Sequence, residues 1–254
     1  MLEINEIYNQ DCLDGMKHIE DKSIDMILCD LPYGTTACKW DIIIPFDKLW
    51  IQYERIIKNN GAIILTATQP FTSSLVMSNI KLYKYQWYWI KSPTGFLNAK
   101  KMPMKSVEDI CVFYKSFPTY NPQGLIICNK QKKNHETKMK KTEIGIATHN
   151  GGRLSEEYFQ EFTNYPKQDI HFSNEKGLHP TQKPVALFEY LIKTYTNEGE
   201  VVLDNCIGSG TTAIACINTN RNYIGFELDK NYYNLACKRI EDYKNNIAIN
   251  GTFG

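Results

Sequence analysis

Residues 201–229 read VVLDNCIGSGTTAIACINTNRNYIGFELD. The apolar run that ends at Asp204 has the length and β-branched content of a buried strand. Gly208-Ser209-Gly210 follows as a tight turn, and a helix starts near Thr211, with Thr211 or Thr212 suited to satisfy its first amides. A second strand closes at Glu227. Glycine lets backbone come close to a ligand, and the open amides of a helix start favour a carboxylate or phosphate. A carboxylate that ends the second strand can accept hydrogen bonds from two ribose hydroxyls. This order is a βαβ nucleotide-binding unit. GSGTTA lacks the third glycine of the dinucleotide pattern, Thr212 or Ala213 standing in its place, and a ligand without a pyrophosphate to cradle is favoured over a nicotinamide dinucleotide. A glycine turn that packs the fold and binds nothing is the other reading.

Outward from this unit, the rest of the chain has the same grain. Ile24–Asp30, Gly61–Ala67, Tyr85–Lys91, Asp109–Lys115, Glu200–Asp204 and Asn222–Glu227 read as buried strands, and Ile4–Gln10 as a weaker one. Phe46–Lys58 and Pro184–Tyr195 read as amphipathic helices; Val185, Phe188, Leu191, Ile192 and Tyr195 share one face of the second. Tyr232, Ala236, Ile240, Tyr243 and Ile247 form a face of a C-terminal helix. Strands that alternate with helices predict an α/β fold, a doubly wound, mostly parallel sheet. From 116 to 177 the chain turns polar and loses its period, which reads as an insertion in a domain made of 1–115 and 178–254.

Composition narrows the class. The chain has 254 residues, 43% hydrophobic and 22% charged, and a net charge of +1. These values suit one large α/β domain and argue against wholesale disorder or coiled coil. No run reaches the roughly 18 apolar residues of a membrane span. The acidic N-terminus lacks a signal-peptide pattern, so an intracellular, cytoplasmic protein without a membrane partner is expected. The eight cysteines include no CxxC pair and the five histidines are scattered, so no metal is expected. Charge is uneven. Residues 81–105 hold six lysines and no acid, and residues 130–141 hold six lysines and one glutamate. Such blocks are either a polyanion surface or solvated loops.

A second pattern, Asp30-Leu31-Pro32-Tyr33-Gly34, stands directly after MILC, where α/β ligand sites lie. An Asp30 oxygen and the carbonyl of Leu31 or Pro32 can each accept a hydrogen from one exocyclic NH₂. Proline stiffens the turn, and Tyr33 offers a flat face to a planar base. An ordinary turn with a capping aspartate is the alternative.

Asp-x-Pro-Tyr followed, far down the chain, by strand–Asp–Gly-x-Gly–Thr resembles the β class of DNA amino-methyltransferases, which use S-adenosylmethionine. The segment HPTQKPVALFEYLIKTY, 179–195, is similar to that family's Thr-x-Lys-Pro stretch. The resemblance covers about 190 residues, 1–115 and 178–254. It implies a Rossmann-like, circularly permuted methyltransferase sheet in which the strand Ile4–Gln10 supplies the missing strand. Asp11 then faces the cofactor's adenine amine, or instead caps a helix over Leu13–Ile19. The resemblance implies Thr181, Lys183, Asp204, Gly208, Ser209, Gly210, Thr211, Thr212 and Glu227 as cofactor residues. Asp204-Asn205-Cys206 departs from the family's usual Asp-Pro-Phe, and Cys206 reads as a pocket wall. Asp30, Leu31, Pro32 and Tyr33 become the catalytic turn, and 116–177 the target-recognition insertion.

The expected reaction is methylation of a flipped-out base in double-stranded DNA. Asp at the first position favours adenine N6 over cytosine N4 by analogy. Methylation at cytosine carbon five has no support, because the chain contains no Pro-Cys. Phe96 is a second candidate to stack on the base. Trp87 and Trp89 read as core. Lys91, Lys100, Lys101, Lys105, Lys132 and Lys133 are candidate phosphate contacts. Family members are often dimers, so a homodimer is an expectation, as is membership of a restriction-modification system. An RNA or cytosine enzyme, or an inactive DNA-binding specificity subunit, are the alternatives.

Overall fold

The computed structural model describes residues 2–35, 41–133, 157–174 and 182–251. In chain order the elements are β1 (Glu6–Tyr8), α1 (Cys12–Met16), β2 (Ile24–Asp30), α2 (Phe46–Ile56), β3 (Ile57–Ala67), α3 (Phe71–Ser78) and β4 (Tyr83–Thr94). A single 3₁₀ turn (Phe96–Asn98) leads to β5 (Lys105–Phe113), β6 (Ile126–Lys133), β7 (Glu157–Thr163) and β8 (Asp169–His171). Then come α4 (Val185–Tyr195), β9 (Val201–Asp204), α5 (Thr211–Asn218), β10 (Asn222–Phe226) and α6 (Lys230–Gly251).

Eight strands form one sheet in the order β1-β10-β9-β2-β3-β5-β4-β8. Every pairing is parallel except the two made by β5, which runs antiparallel to β3 and β4. Side chains alternate across a strand, and here the alternation sorts the core into two layers. Met26, Leu28, Ala62, Ile64, Trp87, Trp89, Ile110 and Val112 pack with α4, α5 and α6 on one face. Ile27, Cys29, Ile63, Leu65, Cys111 and Phe113 pack with α1, α2 and α3 on the other. Trp87 and Trp89 are core, as the alternating pattern predicts, and each indole N–H finds a partner: the Tyr195 hydroxyl at 2.7 Å and the Phe172 carbonyl at 2.8 Å.

The sequence under-reads three places. The helix α3 has no amphipathic signal, because its eight residues carry no charge. The stretch 116–177, read as one insertion, contains β8, whose Ile170 pairs with Trp89 as the sheet's last strand. Pro122–Pro166 form a separate compact unit built on the antiparallel pair β6–β7, whose Ile126 and Phe159 are exposed. Three-residue β8 is too short to show a period, which is why pattern reading passes over it.

Candidate active site

The carboxyl ends of β2, β3, β9 and β10 lie together, since these strands are parallel, and the late half of β4 and early half of β5 reach the same end. A cavity of about 1090 Å³ opens there. Its lining includes Asp30, Leu31, Pro32 and Tyr33 after β2, and Asp204, Cys206, Gly208, Ser209, Thr211, Thr212 and Glu227 from the βαβ unit. Asp11, Lys91, Glu108 and Lys183 join them. Two turns almost 180 positions apart in sequence thus share one crevice, as expected of strand ends in an open α/β sheet.

The glycine turn is held from three sides. Gly208 and Gly210 have φ of +54° and +82°, in the left-handed region where a side chain is costly. Both Glu227 oxygens anchor backbone: one accepts from the Gly208 N–H at 2.9 Å, the other from the Asp229 N–H at 2.8 Å. Burial raises the Glu227 carboxyl above its usual range, against those two amides, which lower it. Arg239 from α6 donates to the Ser209 carbonyl at 3.0 Å and to the Thr211 hydroxyl at 3.2 Å. Ser209 donates to Gln182 at 3.2 Å.

Neither threonine caps α5. Gly210 occupies the cap position and offers no side chain, so no cap residue blocks the first amides of the helix, whose Thr211 and Thr212 line the cavity. The Thr212 hydroxyl instead donates to Asp204. Asp204 is turned into its own loop, and its second oxygen accepts from the Cys206 N–H at 3.0 Å. Burial pushes the Asp204 carboxyl up to about 7, although Thr212 and the Cys206 amide pull it down. An unfolded aspartate titrates near pH 4. Between about pH 4 and 7 the folded state therefore keeps a proton that the unfolded state has lost, and stability falls as pH rises through this window. Asp204→Asn has no such proton. It should flatten the decline, and melting temperatures of the two proteins taken across that range check this; parallel curves would contradict the assignment.

Asn205 stands where a proline is usual in the resembled family. It is buried, and its carbonyl accepts from the Tyr53 hydroxyl at 2.5 Å. Cys206 walls the cavity beside Cys12 and Cys29. Burial raises the Cys29 thiol to about 12. The Cys206 thiol is pulled down by its contact with Cys12, but Cys29 and burial hold it well above the ordinary value, so no thiolate is poised here.

Asp11 takes the second of its two expected places, the cap of a short helix. It lines the cavity and also caps α1, accepting from the N–H of Leu13 at 2.8 Å and of Asp14 at 3.3 Å. Thr181 lies outside the described residues.

At the other end of the cavity Asp30 is crowded with donors. One oxygen accepts from the Tyr33 hydroxyl at 2.6 Å and from Thr66; the other accepts from the Lys183 ammonium at 2.7 Å. Burial, Asp30 and Glu108 together push the Tyr33 hydroxyl well above its ordinary value, so it stays a donor. The Tyr33 ring leans on Phe71, centroids 5.0 Å apart. Asp41 steadies the following turn, accepting from the N–H of Gly34 at 2.8 Å and of Thr35 at 2.9 Å.

Lys91 departs from its expected role. Its ammonium is paired with Glu108 and mostly buried, so it does not stand out toward phosphate. Lys100, Lys101 and Lys105 are exposed around the β4–β5 turn, and Phe96 at 82% exposure and Leu97 at 96% crown it. Phe96 is not among the cavity's lining residues. In the separate unit Lys132 is exposed, and the Lys133 side chain lies outside the described residues. Thr66, Glu108, Gln182 and Arg239 were not foreseen. Glu108 carried a usable signal: in KSVEDICVF it shares a strand face with Ile110 and Val112, a charge where the pattern calls for an apolar residue.

A family model described as DNA methylase matches residues 24–238. The chain belongs to the DNA methylase family. Among curated relatives of this DNA methylase, the Type II methyltransferase M1.MboII of Moraxella bovis is 28% identical, over 93% of this chain and 96% of its own length. The DNA adenine methyltransferase YhdJ of Escherichia coli K12 is 26% identical, over 94% of this chain and 83% of its own. Among solved structures, the M1.HpyAVI–SAM complex superposes with a TM-score of 0.61 at 24% identity, covering 92% of this chain and 98% of that one. Among the described residues of this DNA methylase, no helix is long and apolar enough to cross a membrane, and no group of three His, Cys, Asp or Glu is placed to hold a metal ion.

Proposed function

We propose that this DNA methylase moves a methyl group from S-adenosylmethionine to the exocyclic N6 amine of an adenine flipped out of double-stranded DNA. The observation that carries the reading is the shared cavity: an amine-accepting turn at one end, a nucleoside-type glycine turn with a strand-end carboxylate at the other. The residues present fit the cofactor. Glu227 keeps lone pairs beyond those used on Gly208 and Asp229, enough for ribose hydroxyls. The uncapped start of α5 and the Gly208–Gly210 turn suit the amino-acid carboxylate. Asp11, on the cavity wall, suits an adenine amine, and Asp204, Cys206, Thr211 and Thr212 shape the pocket; Thr181 is proposed with them from the resemblance alone, whereas Lys183, expected beside the cofactor, is paired with Asp30 and belongs to the amine end. When bound, the cofactor supplies a methyl group activated as a sulfonium.

The chain's own residues then position the amine. A carboxylate has about four acceptor sites, and Tyr33, Thr66 and Lys183 take three of Asp30's. One remains for an amine hydrogen, and the Leu31 or Pro32 carbonyl can take the other. That arrangement directs the nitrogen lone pair toward the methyl donor without a strong base, so catalysis is mainly positioning. Tyr33 offers its ring to the extruded base. Aspartate at the head of the turn supports adenine over cytosine, as does the resemblance to YhdJ.

The permuted strand order is part of the proposal and is supported by β1 lying parallel beside β10 at the sheet edge. The insertion, 116–177, is proposed to read the target sequence, and Phe96, Lys100, Lys101, Lys105, Lys132 and Lys133 to meet DNA. Replacing Lys100 and Lys101 together by glutamine should reduce the slope of log K against log salt by about two. An unchanged slope would return those lysines to the solvated surface. A homodimer, implied by the family resemblance, is read by sedimentation velocity.

The direct test is tritiated methyl transfer to unmethylated DNA with RNA as control, followed by hydrolysis and identification of the modified base. N6-methyladenine in DNA is the expected product. N4-methylcytosine, labelled RNA, or cofactor binding without any transfer would each replace this reading with a different one.

A further inference from the structure

Four charged side chains meet on the α4 side of the sheet at the amine end of the cavity. Asp30 pairs with Lys183 at 2.7 Å, Lys183 with Glu108 at 3.3 Å, and Glu108 with Lys91 through its other oxygen. Lys183 is 7% exposed, and Lys91 and Glu108 are 13% each. The strand register explains the contact: Glu108 pairs with Trp89 across β4 and β5, so Lys91, two residues on and on the same face, is its diagonal neighbour. Buried ammonium groups need compensating charge. Asp30 alone would leave two lysines against one carboxylate; Glu108 brings the group to neutrality.

We propose that Glu108 is a positioning residue for methyl transfer: by pairing with Lys183 and Lys91 it keeps the group of four that includes Asp30 at zero net charge, so that positive charge growing on the target amine meets the Asp30 carboxylate and not an unbalanced lysine. This rests on the reading of Asp30 as the amine acceptor. In the transfer the amine lone pair forms the new carbon–nitrogen bond, and the pair of the broken carbon–sulfur bond stays on sulfur. Formal positive charge passes from sulfur to nitrogen, and the nitrogen then releases one proton to solvent. A lysine left unbalanced beside Asp30 opposes the step without obstructing the binding of either substrate. Lys183 itself remains charged: burial works against its ammonium, but Asp30 and Glu108 outweigh burial and raise its pKa above the ordinary lysine value.

The test uses single-turnover rates with saturating DNA and S-adenosylmethionine, alongside dissociation constants for both and thermal unfolding. Glu108→Gln leaves the group with one excess positive charge and should slow the step about tenfold, while both dissociation constants stay within about threefold of wild type. Glu108→Gln combined with Lys91→Met is neutral again and should recover most of the lost rate. Lys91→Met alone leaves an excess carboxylate and should run at or above the wild-type rate. That last variant and the double one keep the test open if Glu108→Gln itself fails to fold. A double variant no faster than Glu108→Gln, a Glu108→Gln at full rate, or a tenfold fall in Lys91→Met each overturns the proposal. Absence of transfer by the wild-type protein overturns the function beneath it, a separate result from any of these.

Discussion

Asp30→Ala lowers single-turnover methyl transfer to DNA by about a thousandfold, on the scale of removing a directly placed catalytic group. Affinity for S-adenosylmethionine is expected to change less than about threefold, because the interaction lost belongs to the transferring amine and not to the cofactor end. Three observations set the size. Asp30 heads the turn at the cavity, it alone gathers Tyr33, Thr66 and Lys183, and its removal leaves the buried Lys183 with Glu108 as its remaining carboxylate. Asp30→Asn separates charge from shape: it keeps one acceptor oxygen for the amine and loses the ion pair with Lys183. An intermediate rate is expected of it. Calorimetric titration of the cofactor beside the rate decides the matter. If cofactor affinity collapses together with the rate, the two ends of the cavity do not divide the work as described.

Glu227→Ala is expected to have the opposite profile, with the dissociation constant for S-adenosylmethionine rising about a hundredfold and the rate at saturating cofactor falling only a few-fold. Two losses combine. The ribose hydroxyls lose a charged acceptor, worth more than a neutral one. The amides of Gly208 and Asp229, now fixed by the two carboxylate oxygens, lose their anchor, so the glycine turn loosens. Glu227→Gln retains one acceptor and should fall between. Equilibrium dialysis against labelled cofactor measures the shift, and a dissociation constant unchanged in Glu227→Ala would remove the carboxylate from the cofactor site.

These two profiles follow from patterns that are local in the chain. The apolar run IDMILCD, bounded by a proline turn, forms β2 over the same seven residues that its sequence predicts. The glycine turn, the strand before it and the strand after it are legible because strand length, glycine and a terminal carboxylate act over a few residues. The helical faces of α2 and α4 are legible for the same reason, each being a period repeated within one segment; of the face expected of α6, Ala236, Ile240 and Tyr243 pack on the core, but Ile247 is exposed and Tyr233 and Cys237 pack there instead of Tyr232.

Local pattern does not say where a polar side chain spends its charge. Lys91 in sequence is one of a run of lysines without acids, yet across the β4–β5 register it meets Glu108 and is drawn inward. Thr212 has the chemistry of a cap but finds Asp204, which strand β9 brings within reach. Lys183 and Asp30 are 153 positions apart, and only the seating of α4 on the sheet joins them. The sequence by itself determined the strands β2, β9 and β10, the helices with a clear period, the two turns and the carboxylates that end strands, because those outcomes depend on neighbours along the chain; it did not determine α3, β8 or the β6–β7 pair. The pairing of Asp30, Lys183, Glu108 and Lys91 was decided by tertiary structure, because a buried charge chooses its partner by distance in space, and that distance exists only once the sheet has formed.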